Sequence, residues 1–304
     1  MFRRLVDRVT NIDSINTQLD ELKILAARIL VRDLRKAGTL DQLADAEFKV
    51  FSQFGDDGII QYLVSVVDIP NRVFIEFGVE DYKESNTRFL LVNDKWKGLI
   101  VDGSQSHIKS IKSSALYWKN DLTAVCHFIT RDNINKIFTE NGFTGEIGIL
   151  SIDIDGNDYW IWESIDTVSP SIVIVEYNSV FGANHAITIP YDPEFNRMNA
   201  CFFGLYWGAS LKALCRVADK KGYYFVGSNS DGNNAYFVRK DKIGSIKPLT
   251  VPEGYRESKY RESKDREGNL TFISGPERLR AIEEMSVVNV EAGSEVKIKE
   301  LIGR

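Results

Sequence analysis

The chain has 304 residues, of which 43% are hydrophobic and 27% charged, and its formal net charge is −5. That balance suits a soluble globular protein with a sizeable core and argues against a general nucleic-acid or anionic-membrane binder. Cys126, Cys201 and Cys215 form no CxxC pair, no apolar run follows the basic start MFRRLVDRVT, and no stretch of about 18 apolar residues occurs; the expectation is a cytoplasmic protein without secretory signal, disulfide framework or integral membrane segment.

Residues 1–50 are predicted as an N-terminal helical extension. Ile12, Ile15, Leu19, Leu22, Ala26 and Ile29 recur at 3-4 spacing, with no glycine or proline before Gly38. Two uses stay open for that stripe: packing on its own domain, or a short coiled-coil contact between copies of the chain.

From Phe51 the pattern changes. A turn at 55–58 leads into an apolar-faced helix, and short apolar runs then alternate with helical ones. Strands are predicted at 72–77 (RVFIEF), 97–102 (KGLIVD), 122–129 (LTAVCHFI), 147–154 and 171–177 (SIVIVEY), with helices between them. Such alternation indicates a doubly wound, mostly parallel α/β sheet, which binds ligands beyond the carboxyl ends of its strands. Helix 209–221 ends at Gly222, and YYFVGSNSDGNNAYFVRK signals a hairpin that places an antiparallel strand near the edge. The core domain is therefore assigned to 51–242. The polar extension 243–304 holds a direct repeat, Tyr255-Arg-Glu-Ser-Lys then Tyr260-Arg-Glu-Ser-Lys, expected as a solvated segment, and a small helix at 276–285.

The predicted strand ends carry the chemistry. Glu76 precedes Gly78 at the first strand-to-helix turn, and Asn86 and Thr87 close the same stretch as further candidate cofactor contacts. No Gly-x-Gly-x-x-Gly follows, which disfavours a pyrophosphate cradle and with it a nicotinamide oxidoreductase. Asp102 ends the second strand, with Gly103 and Ser104 behind it, where a carboxylate can accept both hydroxyls of a ribose. The pair favours an adenosine-type ligand without a pyrophosphate, a description that S-adenosylmethionine fits. In SIDIDGNDYW (151–160), Asp153 and Asp155 follow the fourth strand, and Glu176 and Asn178 follow the fifth. Together they form a candidate oxygen set for Mg²⁺ or Mn²⁺. The competing account is that the aspartates cap the next helix or face a positive sulfonium; Asp158, one turn into that helix, is expected to complement its dipole. Among the histidines, His185 in the loop after the fifth strand is the best candidate general base. His127 is expected to be structural and His107 to lie at the surface or behind Asp102.

Taken in order, FIEFGVEDYKESNTRFLL, WKGLIVDGS, LTAVCHFITRDNIN, SIDIDGNDYWIWESI, IVIVEYN and GASLKALCRVADKKGYYFVG…GNNAYFVR resemble the FkbM-like class I methyltransferases, in particular the bacterial group associated with surface polysaccharides. The resemblance implies a Rossmann-like sheet of seven strands with the last one antiparallel. It also implies S-adenosylmethionine as methyl donor and O-methylation of a sugar, glycan or other small hydroxyl compound. Glu76 and Gly78 would belong to the donor turn, Asp102 to the ribose, and Asp153 would sit beside the methyl group. On the residues' own reading, Asp153 and His185 are the catalytic candidates, with His185 or one carboxylate taking the hydroxyl proton. Glu80-Asp81-Tyr82 departs from the more glycine-rich turn of many relatives. The alternative from a different class is a catalytically silent S-adenosylmethionine-binding module that scaffolds a glycan-synthesis complex.

Overall fold

The structure is a computed structural model that describes residues 2–302, with side chains from residue 15 onward. One long helix, α1 (Phe2–Ala37), precedes α2 (Asp56–Val66). Then strands and helices alternate: β1 (Val73–Phe77), α3 (Arg88–Asp94), β2 (Lys97–Asp102), α4 (Gln105–Ser113), α5 (Ala115–Lys119), β3 (Leu122–Cys126), α6 (Ile134–Glu140), β4 (Gly145–Ile152), α7 (Asp158–Ser164) and β5 (Val168–Glu176). An insertion carries β6 (Ile187–Thr188) and α8 (Arg197–Ala200). The core resumes with α9 (Leu211–Lys221), β7 (Tyr223–Ser228) and β8 (Asn234–Arg239). The tail holds α10 (Val251–Gly254), α11 (Pro276–Ala281), β9 (Ser286–Asn289), β10 (Ser294–Lys297) and α12 (Ile298–Ile302).

The main sheet has seven strands in the order β3-β2-β1-β4-β5-β8-β7. β1 to β5 are parallel; β8 inserts antiparallel between β5 and β7. This is the doubly wound sheet with an antiparallel final strand that the sequence pattern predicts. The parallel strands are apolar along nearly their whole length because helices cover both faces. Strand order reverses between β1 and β4, where the register sets Glu76 level with Ile100 on one side and Ser151 on the other. A crevice is expected at that switch point.

The predicted apolar stripe of α1 does not pack inward. Ile24, Ala27 and Val31 instead seat the helix on Val50, Phe51 and Phe89, while Ile15, Leu19, Leu22, Ala26 and Ile29 face solvent. Ile12 lies outside the described side chains. A helix this long presents more than one face, and the apolar side chains described as seating it lie in its C-terminal half.

The tail also departs from expectation. β9 pairs with both β10 and β6, and a small apolar cluster joins Phe181, Ile187, Leu205 and Tyr206 of the insertion to Ile282, Val287 and Ile298 of the tail. The repeated pentapeptide is not free in solvent: Glu257, Lys259 and Arg261 are exposed, but both copies are held against the domain. The Tyr177 hydroxyl donates to the Arg256 carbonyl at 2.6 Å, and Ser258 and Ser263 are buried. At Gly232, in the β7–β8 turn, a Cβ would lie 2.7 Å from that Arg256 carbonyl, and φ is +76°; only glycine lets the strap pass so close. Among the described residues no helix is long and apolar enough to cross a membrane.

Candidate active site

A cavity of about 810 Å³ opens at the carboxyl ends of β1, β2, β4 and β5. Its floor is the strand-end chemistry predicted above; its far wall comes from the insertion and the strap.

Glu76 is buried at the end of β1. Its carboxylate accepts from the Ser85 hydroxyl (2.6 Å), the Asn86 N–H (2.8 Å), the Thr87 N–H (3.1 Å) and the Thr87 hydroxyl. Burial pushes its pKa up, and those four donors oppose the shift. Glu76 thus fixes the 85–87 turn against the cavity. Asn86 lines the cavity and ties the turn to β4 by donating to the Ser151 hydroxyl at 3.1 Å. Thr87 is fully buried between Glu76 and Tyr82 and does not line the cavity; its assignment as a cofactor contact is corrected to support of Glu76.

Gly78 has φ +66°, and a Cβ there would lie 1.8 Å from the Asp153 carbonyl oxygen. The glycine is required by the approach of the β1 turn to the end of β4, whether or not a ligand is present. Asp102 lines the cavity at the end of β2. Its carboxylate accepts from the Glu80 N–H (2.9 Å) and the Ser104 N–H (2.7 Å), and pairs with His107 Nδ1 (3.2 Å). A carboxylate has about four acceptor positions, so capacity remains for a ligand hydroxyl. Gly103 also lines the cavity. Ser104 does not: its hydroxyl caps α4 through the His107 N–H, which corrects its assignment as a cofactor contact.

At the β4–β5 end, the carboxyl groups of Asp153 and Glu176 lie side by side and act on each other's charge. Burial, and then the neighbouring charges of Asp155 and Asp158, push Asp153 up to about 8. Burial and the Asp153 charge raise Glu176 strongly. Glu176 Oε2 is buried with no hydrogen-bond partner. The pair therefore holds a proton at neutral pH. Asp158 takes the N–H groups of Ile154 and Gly156 and so fixes the turn, as its place at the start of α7 suggested.

The predicted metal set does not converge. Asn178 caps the turn after β5: its amide donates to the Leu205 and Trp207 carbonyls (both 2.9 Å), its oxygen accepts from the Val180 N–H, and it does not line the cavity. Asp155 pairs with Arg197 at 3.0 Å. Only Asp153 and Glu176 remain side by side. Among the described residues no group of three or more His, Cys, Asp and Glu side chains is placed to hold a metal ion. Mg²⁺ or Mn²⁺ therefore does not fit these residues as predicted.

His185 is also displaced from its expected role. Its carbonyl accepts from the Ser210 hydroxyl (2.7 Å) at the start of α9, and it does not line the cavity. His127, expected inside a strand, lies just past the end of β3 and does line it. Beside it Phe128, 60% exposed, offers a ring to the cavity. An exposed aromatic directly after a buried strand was the available signal for this position. Phe195, Arg197 and Met198 of the insertion and Glu262 and Lys264 of the strap complete the wall; apart from the repeat, no local pattern marks them. Tyr177, Phe181, Tyr206 and Trp207 are core residues.

No family model matches the sequence, and no curated protein matches it. Solved structures with some similarity to it include the N-terminal domain of EvdMO1 with SAH bound, at 8% identity over 70% of this chain and 94% of that one (TM-score 0.39). A S-adenosylmethionine-dependent methyltransferase from Clostridium acetobutylicum shares 10% identity over 60% of this chain and 90% of that one (TM-score 0.40). The O-methyltransferase from Bacillus cereus in complex with SAH shares 13% over 69% and 89% (TM-score 0.40). Likenesses this distant assign no activity, and the chemistry has to come from this chain's own residues.

Proposed function

We propose that the protein is a S-adenosylmethionine-dependent O-methyltransferase of the FkbM-like kind, acting on a hydroxyl of a sugar, glycan or related small molecule. The observation that carries this reading is the acidic, phosphate-averse floor of the cavity. Glu76, Glu80, Glu84, Asp102, Asp153 and Glu176 all line it. The N–H groups of Asn86 and Thr87 at the start of α3 are taken by the Glu76 carboxylate, so a negative charge already occupies the place where a dinucleotide binder holds its pyrophosphate. An adenosine with a positive sulfonium meets those demands, and a pyrophosphate does not.

In this reading Asp102 accepts from the ribose hydroxyls, Phe128 and Ile129 flank the adenine, and the Gly78 backbone lies against the methionine portion. The acceptor oxygen approaches from the Asp153–Glu176 side. A bond forms from that oxygen to the methyl carbon as the carbon–sulfur bond breaks, its electron pair leaving with the now neutral thioether. The hydroxyl proton passes to Asp153. Burial and the neighbouring aspartates bring that carboxylate's affinity for a proton nearer to what a reacting hydroxyl requires. Self-association belongs to the same proposal: the solvent-facing Ile15, Leu19, Leu22 and Ile29 of α1 form a self-complementary seam between copies.

The deciding experiment is calorimetric titration of the protein with S-adenosylhomocysteine, followed by mass-spectrometric detection of methyl transfer to a library of glycosides. Micromolar binding with turnover is expected. Tight NADH binding in place of S-adenosylhomocysteine would defeat the reading, and donor binding with no turnover on any hydroxyl compound would favour a scaffold.

A further inference from the structure

Two consecutive copies of Tyr-Arg-Glu-Ser-Lys have different tasks. The first copy is an anchor. The Tyr255 hydroxyl donates to the Ser179 carbonyl at 2.8 Å, and the Ser258 N–H donates to the Ser179 hydroxyl at 3.0 Å. Glu257 accepts from the buried Arg278 at 3.2 Å. No residue of this copy lines the cavity. The second copy stands on that anchor and reaches the site. Tyr260 stacks on Phe54 with centroids 5.5 Å apart, and Glu262 and Lys264 form part of the cavity wall.

Two lining oxygens are left without partners: Glu262 Oε2 from the strap and Glu176 Oε2 from β5. A buried acceptor with nothing donating to it is destabilising, so both favour an occupant with hydrogen-bond donors. The charges around them cancel. Arg197 pairs with Asp155 and approaches Glu262 at 3.6 Å, Lys264 lies on the same wall, and the two cations match the two carboxylates. A stretch of wall balanced in charge and with acceptor oxygens to spare suits a neutral occupant rich in donors better than an anion or a cation.

We propose that the second copy of the repeat is the acceptor-selecting wall of the site, with Glu262 and Lys264 hydrogen-bonding the hydroxyl groups of an uncharged polyhydroxylated acceptor. The inference rests on the methyl-transfer reading for the name acceptor; the binding itself can be tested separately. Tyr260 is a positioning residue that holds the wall against Phe54.

The test uses the full chain saturated with S-adenosylhomocysteine and a panel of methyl hexosides: neutral, amino and uronic. Saturation-transfer NMR reads glycoside binding, and calorimetry reads the nucleoside. Neutral hexosides are expected to bind. Glu262→Gln and Lys264→Met should each weaken them about tenfold, as expected for loss of a charge-assisted hydrogen bond. Nucleoside affinity should stay within about twofold in both variants, and Lys259→Met, the first-copy equivalent of Lys264→Met, should change neither. Lys264 is partly exposed and Lys259 exposed, so these two variants stay informative if Glu262→Gln folds poorly. Unchanged glycoside binding in Lys264→Met and Glu262→Gln overturns the proposal. So does binding of only the charged sugars, or of no sugar by a protein that holds the nucleoside. Failure of the wild-type protein to bind the nucleoside defeats the methyl-transfer reading instead, and hexoside binding sensitive to Lys264→Met would survive it.

Discussion

The two halves of the cavity are built in opposite ways. The donor half comes from the ends of β1 and β2 and the short loops that follow them, so Glu76, Gly78, Asn86 and Asp102 lie within 27 positions of one another. The far half brings together Asp153, Glu176, Arg197 and Glu262, from four segments spread over more than a hundred residues. The first half is rigid by local covalent geometry and backbone hydrogen bonds. The second depends on the strap and the insertion being docked. Damage to the donor half should therefore cost folding or donor affinity, and damage to the other half should cost turnover or selectivity.

The largest effect is expected at Gly78→Ala. The added carbon meets the Asp153 carbonyl, and the positive φ strains it further; a loss of more than about 2 kcal/mol is expected, with collapse of nucleoside binding. Thermal unfolding and calorimetry check this, and a variant that binds normally would show that the two strand ends can separate. Next, Asp153→Asn should lower kcat by roughly 10²–10⁴, the usual contribution of a general base, with donor affinity nearly kept in equilibrium titration. Asp102→Ala should do the reverse, raising the KM for S-adenosylmethionine about ten- to a hundredfold with kcat largely retained. If both variants lost the same parameter, the two-halves picture would be wrong.

A subtler effect concerns pH. If Asp153 takes the hydroxyl proton as proposed, it acts only when deprotonated, and kcat/KM should rise with pH through a midpoint near 8. Asp155 raises that midpoint by repulsion, so Asp155→Asn should move the rising limb to lower pH. A pH–rate profile of the two proteins measures the shift, and a move upward would remove Asp153 as the titrating base. The smallest effect on activity is expected from Leu19→Glu combined with Leu22→Glu, which should convert an oligomer to monomers in light scattering while turnover per chain persists.

The strand ends were legible in the sequence because short apolar runs, glycine turns and a terminal acid are local signals. Asp102 and Asp153 were found that way, and the cavity holds both. Side-chain direction was not legible. Asn178 was expected to face a metal but turns to the carbonyls of Leu205 and Trp207, nearly thirty residues on. Ser104, Thr87 and His185 were assigned to the site by proximity in sequence, and each is occupied or placed elsewhere by a partner that only folding supplies.

By itself, then, the sequence determined the alternation of strands and helices and the acidic character of the rim, since both follow from runs of fewer than about ten residues. Tertiary structure decided which polar atoms face the cavity. The same pentapeptide shows why. Tyr255–Lys259 and Tyr260–Lys264 have identical propensities, yet one copy is fixed on Ser179 and Arg278 while the other lines the site. What separates them is the contact each copy finds across the fold, and no local signal carries that information.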